Sequence, residues 1–551
     1  MAELTGGQAL VQSLKREGVK VIFALPGVQL DWAFDALYDE KENIKIVHTR
    51  HEQATAYMAD GYARTTGEVG VCLVVPGPGL LNATAALSTA YACSAPVLCL
   101  TGQIQSDLIG VGRGMLHEIP HQLEMLKSVT KWAARGMTPE EIPGLVREAF
   151  SQMRTGRPRP VEIEVPPDIL ATPREVELYA PEKMDRDRPA ADPDMLDKAA
   201  KLLGAAKSPL IVSGGGVLSS GAWNELRNLA EMLQAPVVMS RNGRGALSDR
   251  EYLAQTSLGG RELLPKADVI LAVGTRFVEP ATQWGLTPEQ TVIHMDIDDE
   301  EIGRNVEPAI GIIADAKVGL AALAQQVGKY NTARPSREAE LSAMKVAIKE
   351  RTDALQPQAG FANALRAAMP DDAILVNEST QVGYFSNFGF PVYYPRTFIN
   401  SGYQGTLGYG YATALGAQVG NPGKKVVSIN GDGGFMYNVQ ELSTQVAYDI
   451  PLVTVVFNDN AFGNVKRIQQ ETFNGRTIAS DLHNPDFVKL AESFGMAGLR
   501  AKDAKELEKT LGDALATNAP ALIEVPVGPM PSPWSLMWGR AQAPSAVGPR
   551  R

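Results

Sequence analysis

The sequence is poor in cysteine and has no apolar run long enough to cross a membrane. Its 551 residues include three cysteines, Cys72, Cys93 and Cys99, all in apolar segments. They are predicted to be core thiols in a reducing compartment, not a disulfide framework or a metal site. The first residues also lack the apolar core of a signal peptide. These absences favour a cytoplasmic protein.

The chain also lacks an excess of positive charge. Its formal net charge is −10, which argues against a nucleic acid partner and against an anionic membrane surface. The hydrophobic fraction of 44% and the charged fraction of 21% are ordinary for a globular protein. A chain of this length is expected to form three or four domains.

The most informative segment runs from residue 426 to residue 460. An apolar run ends at Gly431-Asp432-Gly433-Gly434, a helical pattern follows, and a second β-rich run ends at Asn458-Asp459-Asn460. The pattern predicts a βαβ unit with both polar turns at the carboxyl ends of parallel strands, where ligands bind. The glycines are predicted to permit positive φ and close approach of a ligand.

Asp432 and Asp459 are predicted to meet over the edge of this sheet. Paired carboxylates in a glycine-rich turn suit Mg²⁺ that shares its shell with phosphate oxygens. A helix starting after Gly433 would add N–H donors for an anion. The alternative is a surface aspartate in a glycine turn and an Asn/Asp helix cap. The two acidic turns together favour the metal site, which Gly-Asp-Gly alone would not.

Strand-like and helix-like segments alternate through most of the chain. This rhythm predicts an α/β protein of three doubly wound parallel-sheet domains, at residues 1–171, 194–329 and 359–530. Two polar stretches, 172–193 and 330–358, are predicted to be linkers. A capping box of Thr5 and Gln8, a helix from Asn82 and a turn at Gly214–Gly216 are also predicted. The tail from Arg540 is predicted to be disordered.

Several ordered motifs together resemble one enzyme superfamily. They include HTRHEQATAYMADGYARTTG, PGPGLLNATAAL, GTLGYGYATALGAQVGNPGKKVVSINGDGGF and MDIDDEEIGRN. Nearly the whole chain resembles thiamine diphosphate-dependent enzymes, in the group of acetolactate synthase large subunits, pyruvate decarboxylase and benzaldehyde lyase. The resemblance implies a pyrimidine-binding, a central and a diphosphate-binding domain. It also implies thiamine diphosphate and Mg²⁺ as cofactors.

The resemblance assigns metal and cofactor contacts residue by residue. Mg²⁺ would be held by Asp432, Asp459 and the carbonyl of Ala461; most relatives have Asn in place of Asp459. A bulky apolar residue, Leu407, would lie under the cofactor and bend it. The full set of implied cofactor-binding residues is Gly77, Asn82, Glu378, Ser379, Thr380, Gln381, Gly405, Thr406, Leu407, Gly431, Asp432, Gly433, Gly434, Asp459, Ala461, Phe462, Gly463, Asn464 and Val465.

Three residues of the first domain are candidates for catalysis. Glu52 lies between a strand and a helix, where a carboxylate can simply favour the helix N-terminus. In the resembled family its carboxyl binds N1′ of the aminopyrimidine, and the 4′-nitrogen then removes the C2 proton. His117 is a candidate proton relay or, alternatively, a loop histidine bonded to backbone. Gln29 is a candidate for orienting the substrate.

The predicted function is cleavage or formation of a C–C bond next to a carbonyl. The leading form is decarboxylation of a 2-oxo acid with carboligation, as in acetolactate synthase. The alternative is a lyase or hydrolase of 2-hydroxyketones or 1,2-diketones. A non-catalytic cofactor-binding subunit is disfavoured because Glu52, Asp432 and Leu407 occur together. The expected partners are a 2-oxo acid, aldehyde or ketone, and further copies of the chain in a homodimer or homotetramer with active sites between chains.

Three further features leave alternatives open. Gly214–Gly216 and Arg276 in the central domain could contact FAD or ADP, although three glycines alone are weak grounds. The aromatic segment at 530–539 could be a substrate lid or a packed chain end. Ile468 stands where acetolactate synthases carry a tryptophan.

Overall fold

Three six-stranded sheets, every neighbouring pair of strands parallel, form the framework of the protein. The structure is a computed structural model and describes residues 2–180, 188–534 and 536. The prediction of three parallel-sheet α/β units is confirmed. The domain boundaries given above stay predictions. No helix among these residues is long and apolar enough to span a bilayer.

The first sheet has the strand order β3-β2-β4-β5-β7-β6, and β1 pairs antiparallel with β8. β8 therefore gives structure to part of the segment predicted as a linker. The strands are β1 Ala2–Thr5, β2 Val21–Ala24, β3 Lys45–His48, β4 Gly70–Val74, β5 Val97–Gly102, β6 Trp132–Arg135, β7 Val161–Val165 and β8 Pro173–Val176. The helices are α1 Gly6–Arg16, α2 Asp31–Asp39, α3 Glu52–Thr66, α4 Pro78–Cys93, α5 Gln122–Leu126, α6 Ile142–Arg154 and α7 Pro167–Ala171.

The central sheet has the order β11-β10-β9-β12-β13-β14, which reverses direction between β9 and β12. Its strands are β9 Leu210–Ser213, β10 Val237–Met239, β11 Ala254–Gln255, β12 Val269–Val273, β13 Thr291–Asp296 and β14 Ile310–Ile313. Its helices are α8 Pro193–Ala205, α9 Gly215–Ser220, α10 Trp223–Leu233, α11 Ser257–Leu263, α12 Val278–Gln283 and α13 Ala316–Val327.

The third sheet repeats the strand order of the first, as β16-β15-β17-β18-β20-β19. Its strands are β15 Ile374–Asn377, β16 Phe398–Asn400, β17 Val426–Gly431, β18 Val453–Asn458, β19 Ala497–Arg500 and β20 Ala521–Pro526. The helices are α14 Glu338–Asp353, α15 Gln358–Ala368, α16 Gln381–Gly389, α17 Tyr409–Gly420, α18 Asp432–Phe435, α19 Leu442–Ala447, α20 Gly463–Thr472, α21 Phe487–Ser493 and α22 Ala504–Thr517.

The first and third sheets share one hydrophobic core, in which α3 packs on α17. Glycines allow the two helices to approach closely. A Cβ on Gly61 would lie 2.0 Å from the carbonyl oxygen of Thr413, and one on Gly416 would lie 1.9 Å from that of Met58. Any side chain at either position would force the helices apart, so this contact fixes the first sheet relative to the third.

Three local expectations were wrong. Pro78 occupies the first turn of α4, so this helix starts four residues before Asn82; proline is well tolerated there because the first N–H groups have no partner in the helix. A turn was expected at Gly214–Gly216, but helix α9 begins at Gly215. The helix expected after Gly434 is broken into α18, a 3₁₀ turn at Val439–Glu441 and α19.

Candidate active site

A cavity of about 130 Å³ opens at the carboxyl ends of β15, β17 and β18. In the third sheet, β16 lies on one side of β15 and β17 lies on the other, so the strand order reverses between β15 and β17. Ligands bind at such points in open α/β sheets. Fifteen predicted cofactor-binding residues line this cavity: Glu378, Ser379, Thr380, Gln381, Leu407, Gly431, Asp432, Gly433, Gly434, Asp459, Ala461, Phe462, Gly463, Asn464 and Val465. The local fold therefore brings together residues that are up to 87 positions apart in the sequence.

Asp432 and Asp459 face each other across the adjacent strands β17 and β18. Gly431 is in register with Phe457, so the two carboxylates leave neighbouring strand ends. Burial, followed by the charge of Asp432, raises the pKa of Asp459 to about 6. Burial also raises the pKa of Asp432 above its ordinary value. Asp432 is buried and Asp459 is half-buried. Two such carboxylates held this close repel each other unless a proton or a cation lies between them.

The donor set at this pair fits a hard divalent cation. Within the described chain, no group of three or more His, Cys, Asp and Glu side chains is arranged to hold a metal. A cation here would use the two carboxylates and complete its shell with backbone carbonyls and phosphate oxygens, as Mg²⁺ does. Asn484, which the sequence did not single out, donates from Nδ2 to Asp432 Oδ2 at 2.6 Å and fixes that carboxylate.

The glycines of the acidic turn provide space, not unusual backbone angles. None of Gly431, Gly433 and Gly434 has positive φ, contrary to expectation. A Cβ on Gly434 would lie 2.3 Å from Oε1 of Glu378, and one on Gly433 would lie 2.6 Å from the ring of Phe462. These two glycines therefore let the turn lie directly against two residues that line the cavity.

Glu378 is a fully buried carboxyl group at the end of β15. Its Oε1 accepts a hydrogen bond of 2.8 Å from the backbone N–H of Gly408, whereas Oε2 has no hydrogen-bond partner among the described residues. Burial raises the pKa of Glu378 to about 8. The group is thus neutral at pH 7, so it would not repel an anion in the cavity.

The turn that carries Leu407 is held on both sides of Gly408. Glu378 accepts from its N–H, and Nδ2 of Asn438 donates to its carbonyl at 2.5 Å. Leu407 lines the cavity, but Gly405 and Thr406 do not. Thr406 instead hydrogen-bonds Thr89 on α4 at 2.7 Å, so this predicted cofactor residue touches the first domain.

A second group of predicted residues lies at the carboxyl edge of the first sheet. Glu52 starts α3, and its Oε2 accepts from Asn82 Nδ2 at 2.9 Å. Oε1 of Gln29 accepts a hydrogen bond of 3.0 Å from Nδ1 of His117. Nε2 of Gln29 donates to the carbonyl of Leu116 at 3.1 Å. Gly77 has φ +58, and a Cβ there would lie 2.2 Å from the carbonyl oxygen of His117. Gly79, two residues after Gly77, lies against Glu52, since a Cβ there would lie 3.4 Å from Glu52 Oε1. All five predicted residues are therefore neighbours.

The chain does not bring these two groups into one cavity. Glu52, Gln29 and His117 are absent from the lining of the cavity around Asp432. Each group is flanked by exposed apolar side chains, which normally mark an interaction surface. Beside the group that contains Glu52 these are Val28, Leu81 and Leu116, and beside the cavity around Asp432 they are Tyr437, Val465 and Ile478.

The C-terminal segment covers one side of the third-domain cavity. Met530 lines the cavity, and Trp534 donates from Nε1 to Asn464 Oδ1 at 3.1 Å. The Trp534 ring packs on Tyr384 with centroids 4.7 Å apart. The segment is packed as far as Trp534; Ser535 and 537–551, including the tail from Arg540, lie outside the described residues.

A larger cavity, of about 350 Å³, lies where the central sheet reverses its strand order. Gly214–Gly216 and Arg276 line it together, as do Arg157 and Arg241. Packing explains why glycine is required at two of these positions. A Cβ on Gly214 would lie 2.0 Å from the Gly274 backbone, and one on Gly216 would lie 2.7 Å from it. Charged side chains of both signs also line this cavity: Arg157 pairs with Glu301 at 2.6 Å and Arg241 with Glu279 at 3.1 Å, while Arg276 lies over the ring of Tyr403.

Comparisons with known proteins agree over most of the chain. Three family models match: the N-terminal TPP binding domain of thiamine pyrophosphate enzymes at residues 4–125, their central domain at 196–323, and their C-terminal TPP binding domain at 380–525. The probable acetolactate synthase large subunit of Methanocaldococcus jannaschii is 37% identical, over 96% of this chain and 92% of its own.

Two further relatives differ from each other in the activity that their names state. The acetolactate synthase isozyme 3 large subunit of Escherichia coli is 34% identical, over 94% of this chain and 93% of its own. The probable 2-ketoarginine decarboxylase of Pseudomonas aeruginosa is also 34% identical, over 95% of this chain and 94% of its own.

Proposed function

The chain belongs to the thiamine pyrophosphate enzyme family, and we propose from this membership that it decarboxylates a 2-oxo acid and joins the product to a second carbonyl compound. The observation that carries the proposal is the cavity at the ends of β15, β17 and β18, which is lined by the paired carboxylates of Asp432 and Asp459 and by the buried carboxyl group of Glu378. Relatives named as acetolactate synthases and as a 2-ketoarginine decarboxylase support decarboxylation as the shared step.

The residues of the third domain would hold the cofactor. Asp432, Asp459 and the carbonyl of Ala461 would bind Mg²⁺, which in turn would balance the charge of the diphosphate. Thr380 and Gln381, at the start of α16, would contact the diphosphate from the other strand end. When bound, thiamine diphosphate supplies a carbon nucleophile and an electron sink for breaking the bond to the carboxylate.

The residues of the first domain would handle protons. Glu52 is half-buried, and its Oε2 is held by Asn82, so its carboxyl group has a fixed direction in which to share a proton with a ring nitrogen. Gln29 and His117 are hydrogen-bonded to each other. The histidine would pass a proton to or from a substrate oxygen.

We propose that a second copy of the chain completes each site. Glu52 and Asp432 belong to different groups within one chain, and exposed apolar side chains flank both groups. A homodimer, alone or within a homotetramer, would cover these side chains and bring the first-domain group of one copy to the third-domain cavity of the other. The apolar area now facing water supports this arrangement.

The central cavity is a candidate site for an adenine nucleotide. At about 350 Å³ it is near the lower end of ligand pockets, which favours ADP over a whole FAD molecule. Arg276, which lies over the ring of Tyr403, suits a phosphate group, whereas Arg157 and Arg241 are paired with Glu301 and Glu279. Titration calorimetry with ADP and absorbance at 450 nm of the purified protein separate the two ligands.

The activity is tested with a panel of carbonyl compounds and the purified protein loaded with thiamine diphosphate and Mg²⁺. The panel contains pyruvate alone, pyruvate with 2-oxobutyrate, 2-ketoarginine, acyloins and cyclohexane-1,2-dione. CO₂ release and carbonyl products are followed separately. CO₂ with a hydroxyketo acid supports the carboligase, CO₂ with an aldehyde supports a simple decarboxylase, and conversion of acyloins or the dione without CO₂ supports the lyase or hydrolase. Glu52→Gln serves as the inactive control.

A further inference from the structure

The loop that leads into Glu52 is held by side chains of the third domain. This loop, residues 49–51, connects β3 to α3. The side chains that hold it and the preceding His48 come from residues 441–448, which include the end of the 3₁₀ turn, α19 and its C-cap. Oε1 and Oε2 of Glu441 accept from the N–H of Arg50 at 3.1 and 3.0 Å, and Oε1 also accepts from the N–H of His51 at 3.0 Å.

The Glu441 carboxylate is fully buried, and it faces donors on every side. Besides the two backbone N–H groups, the hydroxyl of Thr444 donates to Oε2 at 2.6 Å. Tyr448 adds a further link, because the N–H of His48 donates to its hydroxyl at 2.9 Å. Residues of one short segment, 441–448, therefore determine the path of the chain up to His51, the N-cap of α3.

We propose that Glu441 is a positioning residue for Glu52, acting through the backbone of Arg50 and His51. Glu52 is the next residue in the chain, and its carboxyl group must lie within hydrogen-bond distance of the group it activates. Nothing else among the hydrogen bonds of the described chain fixes these two N–H groups. This inference rests on the proposed function, since it assumes that Glu52 assists removal of the C2 proton of thiamine diphosphate.

Three substitutions of Glu441 differ in how many of its hydrogen bonds they keep. In Glu441→Ala both N–H groups lose their acceptor. Glu441→Asp keeps the charge, but its side chain is shorter by one methylene, so the carboxylate lies farther from the two N–H groups. Glu441→Gln keeps one oxygen for both N–H groups, while its amide can donate to the Thr444 hydroxyl, which then accepts. The alanine and aspartate variants should therefore be impaired and the glutamine variant rescued.

Asp268 provides a matched control in the central domain. Its two oxygens accept from two consecutive backbone N–H groups, those of Lys207 at 2.7 Å and Ser208 at 2.9 Å. Asp268→Ala removes the same kind of contact far from both predicted residue groups. Its effects measure the general cost of losing a carboxylate that holds a loop.

The first measurement uses the protein without cofactor. Amide hydrogen exchange, read by mass spectrometry, should accelerate in the peptide that contains residues 48–53 in Glu441→Ala and Glu441→Asp. It should stay unchanged there in Glu441→Gln and in Asp268→Ala. Unchanged exchange in the alanine and aspartate variants would mean that Glu441 does not hold this loop, and the proposal would fall.

The second measurement is deuterium exchange at C2 of the bound cofactor, at saturating cofactor. Glu441→Ala and Glu441→Asp should slow it on the order of 10- to 100-fold, the usual effect of misplacing a catalytic group by about 1 Å, while cofactor affinity changes little. The Glu441→Ala effect should vanish in a Glu52→Gln background, because the residue acts through Glu52.

Equal slowing in both backgrounds, or slowing only in proportion to lost cofactor, overturns the proposal. Absence of exchange in the unmodified protein would overturn the proposed function instead. If Glu441→Ala does not fold, the aspartate and glutamine pair carries the test.

Discussion

The buried carboxyl of Glu378 makes the stability of the third domain depend on pH, and Glu378→Gln should remove that dependence. Its pKa is about 8 in the folded protein, against an ordinary value of 4.5. Because the folded pKa is the higher one, the folded state holds a proton that the unfolded chain releases above pH 4.5. The stabilising contribution is therefore complete below pH 4.5 and is lost progressively as the pH rises to about 8.

The magnitude follows from the two pKa values. Each pH unit between them corresponds to 1.36 kcal/mol, so the full window amounts to about 5 kcal/mol. At pH 7 the unmodified protein has lost about 3 kcal/mol that a permanently neutral side chain would keep. The amide introduced by Glu378→Gln keeps an oxygen for the N–H of Gly408. It also gains a donor next to Gly410, which both Oε2 of Glu378 and Oδ1 of Asn430 approach; that Oδ1 has no partner among the described residues.

The assay is urea unfolding of cofactor-free protein at several values between pH 5.5 and 7.5. Glu378→Gln should be more stable than the unmodified protein, with an advantage that grows by about 3 kcal/mol across this interval. Since three domains need not unfold together, the comparison uses the transition of the third domain, followed by hydrogen exchange of peptides from β15 and β17. Glu508→Gln, an exposed change of the same charge on α22, should shift stability by less than about 0.5 kcal/mol. An advantage that does not vary with pH would refute the argument, because the carboxyl group would then be hydrated.

Four further outcomes are expected. Asp432→Ala should lose Mg²⁺ and cofactor on gel filtration while its circular dichroism stays unchanged; full cofactor retention would place the metal elsewhere. Sedimentation should give a dimer or tetramer, and a catalytically active monomer would contradict a site shared between chains. Glu52→Gln should still bind cofactor but exchange its C2 proton about 10²–10⁴-fold more slowly, as read by NMR after an acid quench; exchange at the unmodified rate would leave Glu52 as a helix-end carboxylate. Removing any bound flavin should not change activity, since decarboxylation and carboligation involve no net redox step, and activity that returned only with added FAD would refute this.

The sequence predicted the elements of the acidic turn because their signals are local. An apolar run before Gly431 and another before Asn458 predicted two strands, and the structure pairs them in parallel as neighbours. The helix cap at Thr5 was equally local: its side chain and that of Gln8 form the expected reciprocal hydrogen bonds. Periodicity and turn chemistry lie within a few residues, so one sequence suffices to read them.

What the sequence could not give depends on contacts between distant segments. Glu441 and Asn484 look like ordinary polar residues, and their partners lie 390 and 52 positions away. The glycines of the acidic turn were expected to have positive φ, but they are required by Glu378 and Phe462, which reach the turn from other strand ends. No local pattern encodes such neighbours, because the sheet order alone decides them.

The first and third sheets have matching strand orders, so each provides one of the two residue groups that we propose to act in one reaction. Each sheet changes its direction of winding at one point, between β2 and β4 in the first and between β15 and β17 in the third. Gln29 and Gly77 follow the strands at the first point, and Glu378 and Asp432 follow those at the second. The packing of α3 on α17 fixes both sheets but leaves Glu52 outside the cavity of its own chain. If two copies pair about a twofold axis, as we propose, each contact is made twice, and two equivalent sites result. Glu441 then holds the Glu52 that serves one site while lying nine residues after the Asp432 that serves the other.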